Sequence, residues 1–501
     1  MQRVAILGAT ILFLLPLFAE TKAQQPNPEQ TLDIGSRLEL FVDHFLIDRL
    51  VGARLELHHP QPAEVAIRVD RPWEGGDNLG ISVLYHNGIY RMYYRGMAND
   101  DIKGRCLAES RDGITWTKPN LGLIEVAGTR DNNAIVEGKD IWSYFMIPFI
   151  DQRPGVPVNQ RIKGITPGFS RRGNFERREL FLHLSTDGVR WNKAQEDPIL
   201  VTTFPNAFDS LVCLFWSTCE EKYVLYSRYM VDTRGRPRRK GGLRSVFRST
   251  SPDLLHWSEP TPMTFTGTGV VPSAQLYTSM TEPYFRAPHI YVSFPMRFME
   301  DRKTVSDPEA ERIGLKPGRN ADSSDGVFMS SRAGSTHFDW IFQEAFLRPG
   351  PGWENWGTRS NIALWGLLPT GLEEMSLWVN RHYGTPSFHI RRYRLRTDGF
   401  VSVRAPYEGG EMLTKPFRFQ GKQLEINYST SAAGSIRVGI QDTAGKPLPG
   451  LGVERCQEII GDEITRVVSW KGGSDVGTLA GQTVRLRFSL RDADLYSVRF
   501  R

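Results

Sequence analysis

Short runs in which apolar and polar residues alternate fill most of the chain, and long helical periodicity is nearly absent. Alternation with a period of two is typical of half-buried β-strands. The runs 90–97 and 223–230 share the pattern Tyr-x-(Met/Leu)-Tyr-x-Arg-x-Met, so at least one strand type recurs along the chain. The pattern predicts an all-β fold built from repeated sheets.

A turn of the form Ser-x-Asp-Gly-x-x-Trp separates successive groups of strands. It occurs at 110–116 and 185–191, with a looser copy at 250–257 and a degenerate one between 330 and 340. Asp and Gly favour a tight turn, and we expect each Trp to pack between neighbouring sheets. The aspartates of these turns are therefore predicted to be structural.

The turns divide the middle of the chain into repeated units, each long enough for a four-stranded blade. Radial repetition of such blades protects their edges. This predicts a five-bladed β-propeller, with six blades as the nearest alternative. The predicted units are residues 77–126, 134–198, 205–262, 270–346 and 355–405.

Beyond Gly410 the pattern changes to short strands separated by Gly, Asp and Pro turns, which predicts a small β-sandwich. The predicted organisation is a signal peptide at 1–23, an N-terminal extension packing on the propeller at 24–70, the propeller at 71–407 and the β-sandwich at 408–501.

The N-terminus has the features of a secretory signal: Arg3, an apolar run from Val4 to Ala19, and small residues before Gln24. This predicts a secreted or periplasmic protein, and no later run reaches the ~20 apolar residues of a membrane helix. The net charge of +6 is concentrated in the loops 171–178 and 234–240. Beside Gly and Pro, such clusters are more typical of solvated loops than of a nucleic-acid surface, while an anionic polysaccharide stays open as a ligand.

The four cysteines have no metal-finger spacing. Export would permit a disulfide between Cys213 and Cys219, and two buried free thiols are the alternative. No dinucleotide, phosphate-loop, zinc or EF-hand motif occurs, so no organic cofactor is implied.

Three acidic residues stand near the predicted starts of inner strands, which line the channel of a propeller. Asp77 precedes Tyr90 by 13 residues, Asp209 precedes Tyr223 by 14, and Glu282 opens the sequence Thr-Glu-Pro-Tyr-Phe-Arg. Glycoside hydrolysis needs two carboxylates across the scissile bond, and a third tunes the pKa of the acid. We therefore expect the three acids to face one cavity.

The chain resembles the furanosidase-type clan of five-bladed propeller hydrolases, which includes invertases, levanases, arabinanases and β-xylosidases. The resemblance lies in Gly-Asp-Asn-Leu-Gly around Asp77, in Glu282-Pro283 and in the order of the three acids. It is closer still to exported bacterial proteins related to these propellers, through 281–291 and 409–416. The resemblance implies that Asp77 is base or nucleophile, that Glu282 is the acid and that Asp209 tunes it. It also allows a structural Ca²⁺ in the channel.

Further residues are candidates for contact with a carbohydrate substrate. Arg286 and His289 follow Glu282 at spacings that alternate between the faces of a strand. Arg359 and Asn361 open the fifth inner strand, and Trp73 stands near a predicted blade opening, where an aromatic ring suits the apolar face of a sugar.

The predicted function is a glycoside hydrolase acting on a poly- or oligosaccharide. Two alternatives stay open. One is a non-catalytic carbohydrate-binding propeller. The other is a sialidase-like hydrolase, favoured by the Asp-Gly turns, although the sequence shows no evident arginine trio and no paired Tyr and Glu.

Overall fold

The computed structural model describes residues 31–74, 79–97, 103–138, 146–172 and 175–501. Nearly all regular structure in these ranges is β-strand, which confirms the predicted all-β class. No helix within them is both long and apolar enough to cross a bilayer. The predicted signal peptide and Asp77 lie outside the described residues.

Five short strands come first along the described chain. They are β1 (Leu32–Gly35), β2 (Glu39–Leu40), β3 (Ile47–Val51), β4 (Arg54–Leu57) and β5 (Gln61–Arg68).

Three antiparallel sheets follow, each built by consecutive strands. The first sheet contains β6 (Gly80–His86), β7 (Ile89–Met97), β8 (Lys103–Ser110) and β9 (Ala134–Gly138). The second contains β10 (Ile147–Ile150), β11 (Ile162–Arg172), β12 (Phe175–Ser185), β13 (Asn192–Lys193) and β14 (Leu200–Thr202). The third contains β15 (Cys213–Ser217), β16 (Lys222–Val231), β17 (Leu243–Ser251) and β18 (Thr261–Pro262).

The fourth unit is interrupted, because its strands bend midway and pair as separate short ladders. Its elements are β19 (Thr264–Phe265), β20 (Gln275–Leu276), β21 (Thr281–Tyr284), β22 (Ala287–Ser293), β23 (Met296–Met299), α1 (Asp307–Arg312), β24 (Ser323–Gly326), β25 (Met329–Arg332) and β26 (His337–Phe338). The fifth sheet contains β27 (Leu368–Pro369), β28 (Glu374–Arg381), β29 (His389–Arg396) and, as its outer strand, β5.

The inner strands of these five described units form a ring. Strand β6 contacts β10, β10 contacts β15, and β15 contacts β21. The ring closes where Ser82 of the first unit pairs in parallel with Trp365 of the fifth, and the Trp365 indole N–H donates to Thr281 O at 3.1 Å. The outer strand of the fifth sheet is therefore β5, which comes from the N-terminal part of the chain and pairs with β29.

The Asp-Gly turns are built as the sequence predicts. Asp112 Oδ1 accepts the backbone N–H groups of Ile114 at 2.8 Å and Thr115 at 2.7 Å, and Gly113 has φ of 74°. Burial would raise the pKa of Asp112, but these N–H donors outweigh it and lower the pKa to about 2. These bonds stabilise the turn, and Asp112 has a structural role.

The tryptophans of the turns join neighbouring sheets, as predicted. Trp116 meets Trp378 of the fifth sheet edge-to-face at 5.8 Å, and Trp191 meets Tyr93 of the first sheet at 6.2 Å. The Tyr93 hydroxyl also donates to Gly188 O at 3.0 Å. Each turn therefore anchors its sheet on the preceding one.

The second module is the β-sandwich, with its own apolar core around Trp470 and Phe488. Its long strands pair antiparallel and carry most of the module. Its C-terminal elements are β30 (Val401–Ala405), β31 (Gly410–Thr414), β32 (Phe417–Phe419), β33 (Leu424–Gln441), β34 (Asp462–Val467) and β35 (Thr483–Phe500). Short 3₁₀ helices stand at Val158–Gln160, Trp353–Trp356, Val453–Arg455 and Gly477–Leu479.

The module boundaries differ from the predicted ones. Strands β1 to β4 pair with β32, β35, β31 and β30, so residues 32–57 belong to the β-sandwich rather than to an extension packed on the propeller. Strand β5 belongs to the propeller, and β30 belongs to the β-sandwich although 401–405 was predicted to end the fifth blade. Strand pairing over such sequence distances leaves no local signal in the sequence.

A prediction follows for the contact between the second Asp-Gly turn and the first sheet. A Cβ on Gly188 would stand 2.8 Å from the Tyr93 hydroxyl, whereas Gly155, with a similar φ of 81°, has open space around it. We expect Gly155→Ala to lower the free energy of unfolding by about 1–2 kcal/mol through backbone strain alone. Gly188→Ala should cost about 1–3 kcal/mol more through overpacking. Urea unfolding midpoints measure both, and equal losses would contradict the anchoring role of the turn.

Candidate functional site

The inner strands run in the same direction along the ring, so position along a strand decides which end of the channel a side chain faces. Asp209 lies four residues before β15, at the end where the inner strands begin. We call this end the upstream mouth and define it by Asp209, Arg228, Arg244, Tyr277 and Arg359. Glu282 lies near the end of the fourth inner strand, which begins at β20.

The structure does not bring Asp209 and Glu282 together. Cys213 of β15 lies at the same height in the channel as Ser279 and Thr281 of the fourth unit. Its Sγ lies 3.5 Å from Ser279 Oγ and accepts the Thr281 N–H at 3.3 Å. Asp209 is four residues upstream of that level and Glu282 one residue downstream of Thr281. Asp209 lies in the bend ahead of β15, and it is not among the residues that line the cavity beside Glu282. The structure therefore does not show the expected convergence of these two acids on one cavity.

Glu282 faces a separate cavity of about 320 Å³ at the opposite end, which we call the downstream cavity. Its walls are mainly apolar and aromatic and include Tyr85, Trp216 and Phe285. The Leu367 N–H donates to Glu282 Oε1 at 2.8 Å. Burial raises the pKa of Glu282 to about 8, and hydrogen bonds from the Leu367 and Gly366 backbones only partly offset the effect of burial.

The upstream mouth is dominated by three arginines around one tyrosine. The guanidinium carbons of Arg228, Arg244 and Arg359 lie 4.7, 5.4 and 5.5 Å from the centre of the Tyr277 ring. We call these three residues the arginine cluster. Such distances allow cation–π attraction to the ring, and they also bring three positive charges close together.

Asp209 is attached to this cluster through Arg228. Arg228 Nη2 lies 2.5 Å from Asp209 Oδ2 and also donates to the Asp209 carbonyl at 3.3 Å. The Asp209 side chain is 42% exposed, whereas that of Arg228 is 5% exposed. A buried cation therefore orients a carboxylate that solvent or a ligand can reach.

The charges act on the tyrosine and on each other. Burial would raise the pKa of Tyr277, but the charges of Arg228 and Arg359 outweigh it, so the pKa lies below its ordinary value. Burial and then the charge of Arg228 lower the pKa of Arg244, although Glu300 and Asp322 act in the opposite direction. The mouth is positively charged and partly desolvated.

Strained backbone accompanies the residues of the mouth. Asn206 and Phe208, just before Asp209, have φ of 56° and 61°, and Arg359 and Asn361 have φ of 65° and 71°. For a bulky residue such as Phe this left-handed conformation is costly. Strain of this kind clusters at ligand sites, where neighbouring contacts hold it in place.

The predicted ligand-contacting residues have different fates. Arg359 stands in the arginine cluster, in a turn ahead of the fifth inner strand, and its contact with substrate stays a prediction. Asn361 is fully buried, and its amide donates to Ser324 O at 2.9 Å and Asn355 O at 3.1 Å, so it is structural rather than substrate-binding. The Trp73 indole N–H donates to Asn133 Oδ1 at 2.9 Å, and its contact with a sugar stays a prediction.

Arg286 and His289 were predicted to contact substrate, and the structure pairs both with acidic residues at the β-sandwich. Arg286 Nη1 donates to Asp398 Oδ2 at 2.7 Å, and Asp398 also accepts the Ser497 hydroxyl of the β-sandwich at 2.8 Å. His289 Nε2 lies 3.1 Å from Glu39 Oε1. Both residues therefore join the propeller to strands of the β-sandwich, because the β21–β22 hairpin points toward that module.

Sequence reasoning missed Arg228, Arg244 and Tyr277. One signal was present, since the repeated strand pattern places an arginine at 95 and at 228, and this pattern was taken only as evidence for a strand. In both units this arginine lies on the strand next to the inner strand, near its upstream end. Nothing local marks Arg244 or Tyr277, which join the cluster through tertiary contacts.

Within the described ranges no three His, Cys, Asp or Glu side chains are grouped as metal ligands would be. Cys213 and Cys219 are both free thiols, the first buried and the second exposed.

A pH-dependent stability prediction follows for Glu282. A carboxyl group whose pKa is raised in the folded state stabilises the fold below its unfolded pKa, and this contribution is lost as pH rises through about 8. The neutral Glu282→Gln variant should therefore gain Tm relative to the unmodified protein between pH 5 and 9. Scanning calorimetry measures the difference, with the exposed Glu408→Gln as control. A constant offset across that pH range would contradict the burial of the carboxyl group.

No family model matches the chain, and no curated protein matches it. Among solved structures, it is similar to an N-acetylgalactosamine deacetylase from F. plautii in complex with blood group B trisaccharide, at 13% identity over 69% of this chain and 96% of that one, with a TM-score of 0.42. It is also similar to the Bombyx mori GH32 beta-fructofuranosidase, at 10% identity over 89% and 94% of the two chains with a TM-score of 0.37. An exo-inulinase from Aspergillus awamori matches at 11% identity over 89% and 98%, with a TM-score of 0.34. The predicted resemblance to invertase-type hydrolases thus recurs among solved structures. At these identities and TM-scores it assigns neither a reaction nor a role to any residue.

Proposed function

We propose that the chain is a glycoside hydrolase whose reaction takes place at the upstream mouth. The observation that carries the proposal is the half-exposed carboxylate of Asp209, oriented by the buried Arg228 at 2.5 Å. A carboxylate fixed in position and accessible from the channel suits a base, a nucleophile or a stabiliser of the oxocarbenium-like transition state.

Asp77 is the proposed second carboxylate. It stands two residues before Leu79 and just ahead of β6, as Asp209 stands just ahead of β15. Because the inner strands run parallel, residues that precede them belong to the same end of the channel. Glu282 is left out of the catalytic pair, since it faces the downstream cavity.

The sugar chemistry of this proposal comes from the sequence resemblance to the furanosidase-type clan, which lies in the motif around Asp77 and in the order of the acids. A substrate outside the cell agrees with the predicted signal peptide. A carbohydrate-active protein of this kind requires no organic cofactor, because hydrolysis needs only carboxylates and water.

Tyr277 favours a second candidate, the sialidase-like hydrolase. Sialidases use a tyrosine nucleophile, and a nucleophile is activated when its pKa is depressed. Tyr277 has a lowered pKa, and three arginines surround it. This grouping of three arginines, which the sequence did not reveal, supports the sialidase-like candidate.

The hydrolase proposal predicts an ordered set of variant activities. Asp77→Asn and Asp209→Asn should each lower kcat by about 10²–10⁴-fold, the range for removing an acid–base or nucleophilic group. Glu282→Gln should keep activity within a few-fold. The measurement is reducing-sugar release from fructans, arabinans, xylans, uronans and sulfated algal glycans, with circular dichroism as the check of folding. Glycan binding without turnover in the unmodified protein would contradict hydrolysis and establish a binding module. Loss of activity only in Glu282→Gln would place the reaction in the downstream cavity and contradict the proposed location.

The two hydrolase candidates differ in the effect of Tyr277→Phe. If a carboxylate is the nucleophile, the substitution should change kcat by less than about tenfold, because it removes one hydroxyl and keeps the ring beneath the arginines. A tyrosine nucleophile predicts loss of about 10³-fold or more. The measurement is kcat for the same substrate in the unmodified protein and in the Tyr277→Phe variant, and the size of the loss decides between the two candidates.

A further inference from the structure

Arg244 at the upstream mouth has no carboxylate in direct contact within the described ranges. Of the arginine cluster, Arg228 pairs with Asp209, while Arg244 donates to the neutral side chain of Gln275. The nearby carboxylate of Glu300 accepts from the Gln275 amide at 2.7 Å and so acts on Arg244 only from a distance. The charges of Arg228 and Arg244 repel each other, and an anion between them would lower that energy.

Arg228 has hydrogen-bonding capacity that the described part of the chain does not use. The residue is 4% exposed, and its Nε and Nη1 atoms have no partner within the described ranges. A buried donor without an acceptor is costly, and more so when it is charged. Guanidinium groups bind carboxylate and sulfate oxygens through paired hydrogen bonds, so a ligand anion would supply the acceptors.

The positive surface continues from the cluster onto the loop between β16 and β17. Arg228 lies near the end of β16 and Arg244 near the start of β17, on the same face of the sheet, since Met230 pairs with Arg244. The loop 232–242 between them contains five basic residues and one acidic residue. We call it the basic loop.

The basic loop is held beside the mouth and faces solvent. Gly235 lies against Val270, in the segment that leads to Gln275 and Tyr277. Arg236 pairs with Asp232 and Arg239 with Glu176, whereas no carboxylate in the described ranges pairs with Arg234, Arg238 or Lys240. All five basic side chains of the loop are exposed. Basic side chains therefore extend from the mouth along the basic loop.

We propose that the substrate is an anionic polysaccharide, with one carboxylate or sulfate bound by the arginine cluster and further anionic units of the same chain lying along the basic loop. The proposal rests on the proposed function for the location of the site, and it requires no particular bond-breaking mechanism. An anionic substrate would distinguish this chain from hydrolases that act on neutral fructans or xylans.

The cluster and the loop should contribute differently. The cluster is partly buried, so its contact with one anion is specific and only weakly screened by salt. The loop is exposed, so its contacts are screened and add up only when a ligand is long enough to reach it. A short anionic ligand therefore tests the cluster, and a polymer tests both.

The test measures binding with charge-matched pairs of probes. Digalacturonate is compared with its dimethyl ester, polygalacturonate with its methyl-esterified form, and dextran sulfate with dextran, by calorimetry at 50 and 300 mM NaCl. We expect each anionic probe to bind at least tenfold more tightly than its neutral match. The carboxylate and sulfate arms identify which anion is preferred.

Three variants locate the effect. Arg244→Gln and Arg359→Gln should each weaken digalacturonate binding about tenfold, as expected for one charge-assisted contact. The triple variant Arg234→Gln/Arg238→Gln/Lys240→Gln should leave digalacturonate binding unchanged, while it weakens polymer binding and flattens its salt dependence. The control removes the same number of charges from exposed arginines outside the mouth, as Arg54→Gln/Arg130→Gln/Arg394→Gln.

The outcomes separate this proposal from the hydrolase assignment. Equal binding of anionic and neutral probes, or equal losses in the control and the basic-loop variants, would overturn it even if the enzyme hydrolyses a neutral glycan. Tight, cluster-dependent binding of an anionic probe without turnover would support it while the hydrolase assignment fails.

Discussion

The common direction of the inner strands is the constraint on which the site depends. Each inner strand crosses the ring from the same end, and adjacent strands keep a fixed register through contacts such as Ser82 with Trp365 and Thr281 with Cys213. A residue's position relative to these contacts therefore indicates its height in the channel. Asp209 precedes its strand and lies at the upstream mouth, whereas Glu282 comes late in its strand and lies in the downstream cavity.

The features that could be predicted from the sequence are those set by local chemistry. The Ser-x-Asp-Gly-x-x-Trp turns follow from short hydrogen bonds within seven residues, and the strands β7 and β16 follow from alternation. The sequence predicts Glu282 at the start of the fourth inner strand, whereas it lies near the end of that strand in the structure. Its inner strand starts at Gln275 and bends before Thr281, so the fourth unit contains an early segment that the alternation of 281–286 did not reveal.

Other errors arose where distant parts of the chain pair. The sandwich strands from 32–57 and the outer blade strand β5 come from one continuous segment that serves two modules. Arg286 and His289 alternate as a channel strand would, but their partners Asp398 and Glu39 lie across the module interface. No local pattern encodes such partners, which only the packing of the two modules determines.

Charge ties the site together. The arginine cluster concentrates positive charge in a partly desolvated place, and the strand ends that carry Arg228 and Arg244 also define the basic loop. A basic run that resembles a solvated loop in the sequence thus becomes part of the rim of the candidate site. The downstream cavity has the opposite character, with aromatic walls and a carboxyl group whose pKa is raised to about 8. The two ends of one channel therefore offer different chemistry to a ligand.

A crystal structure of the protein with a bound galacturonate trisaccharide would test the central claim most directly. The account predicts the sugar at the upstream mouth, with a carboxylate within hydrogen-bonding distance of at least two members of the arginine cluster and the downstream cavity free of sugar. A trisaccharide seated beside Glu282 and Trp216, with the arginine cluster unoccupied, would contradict it.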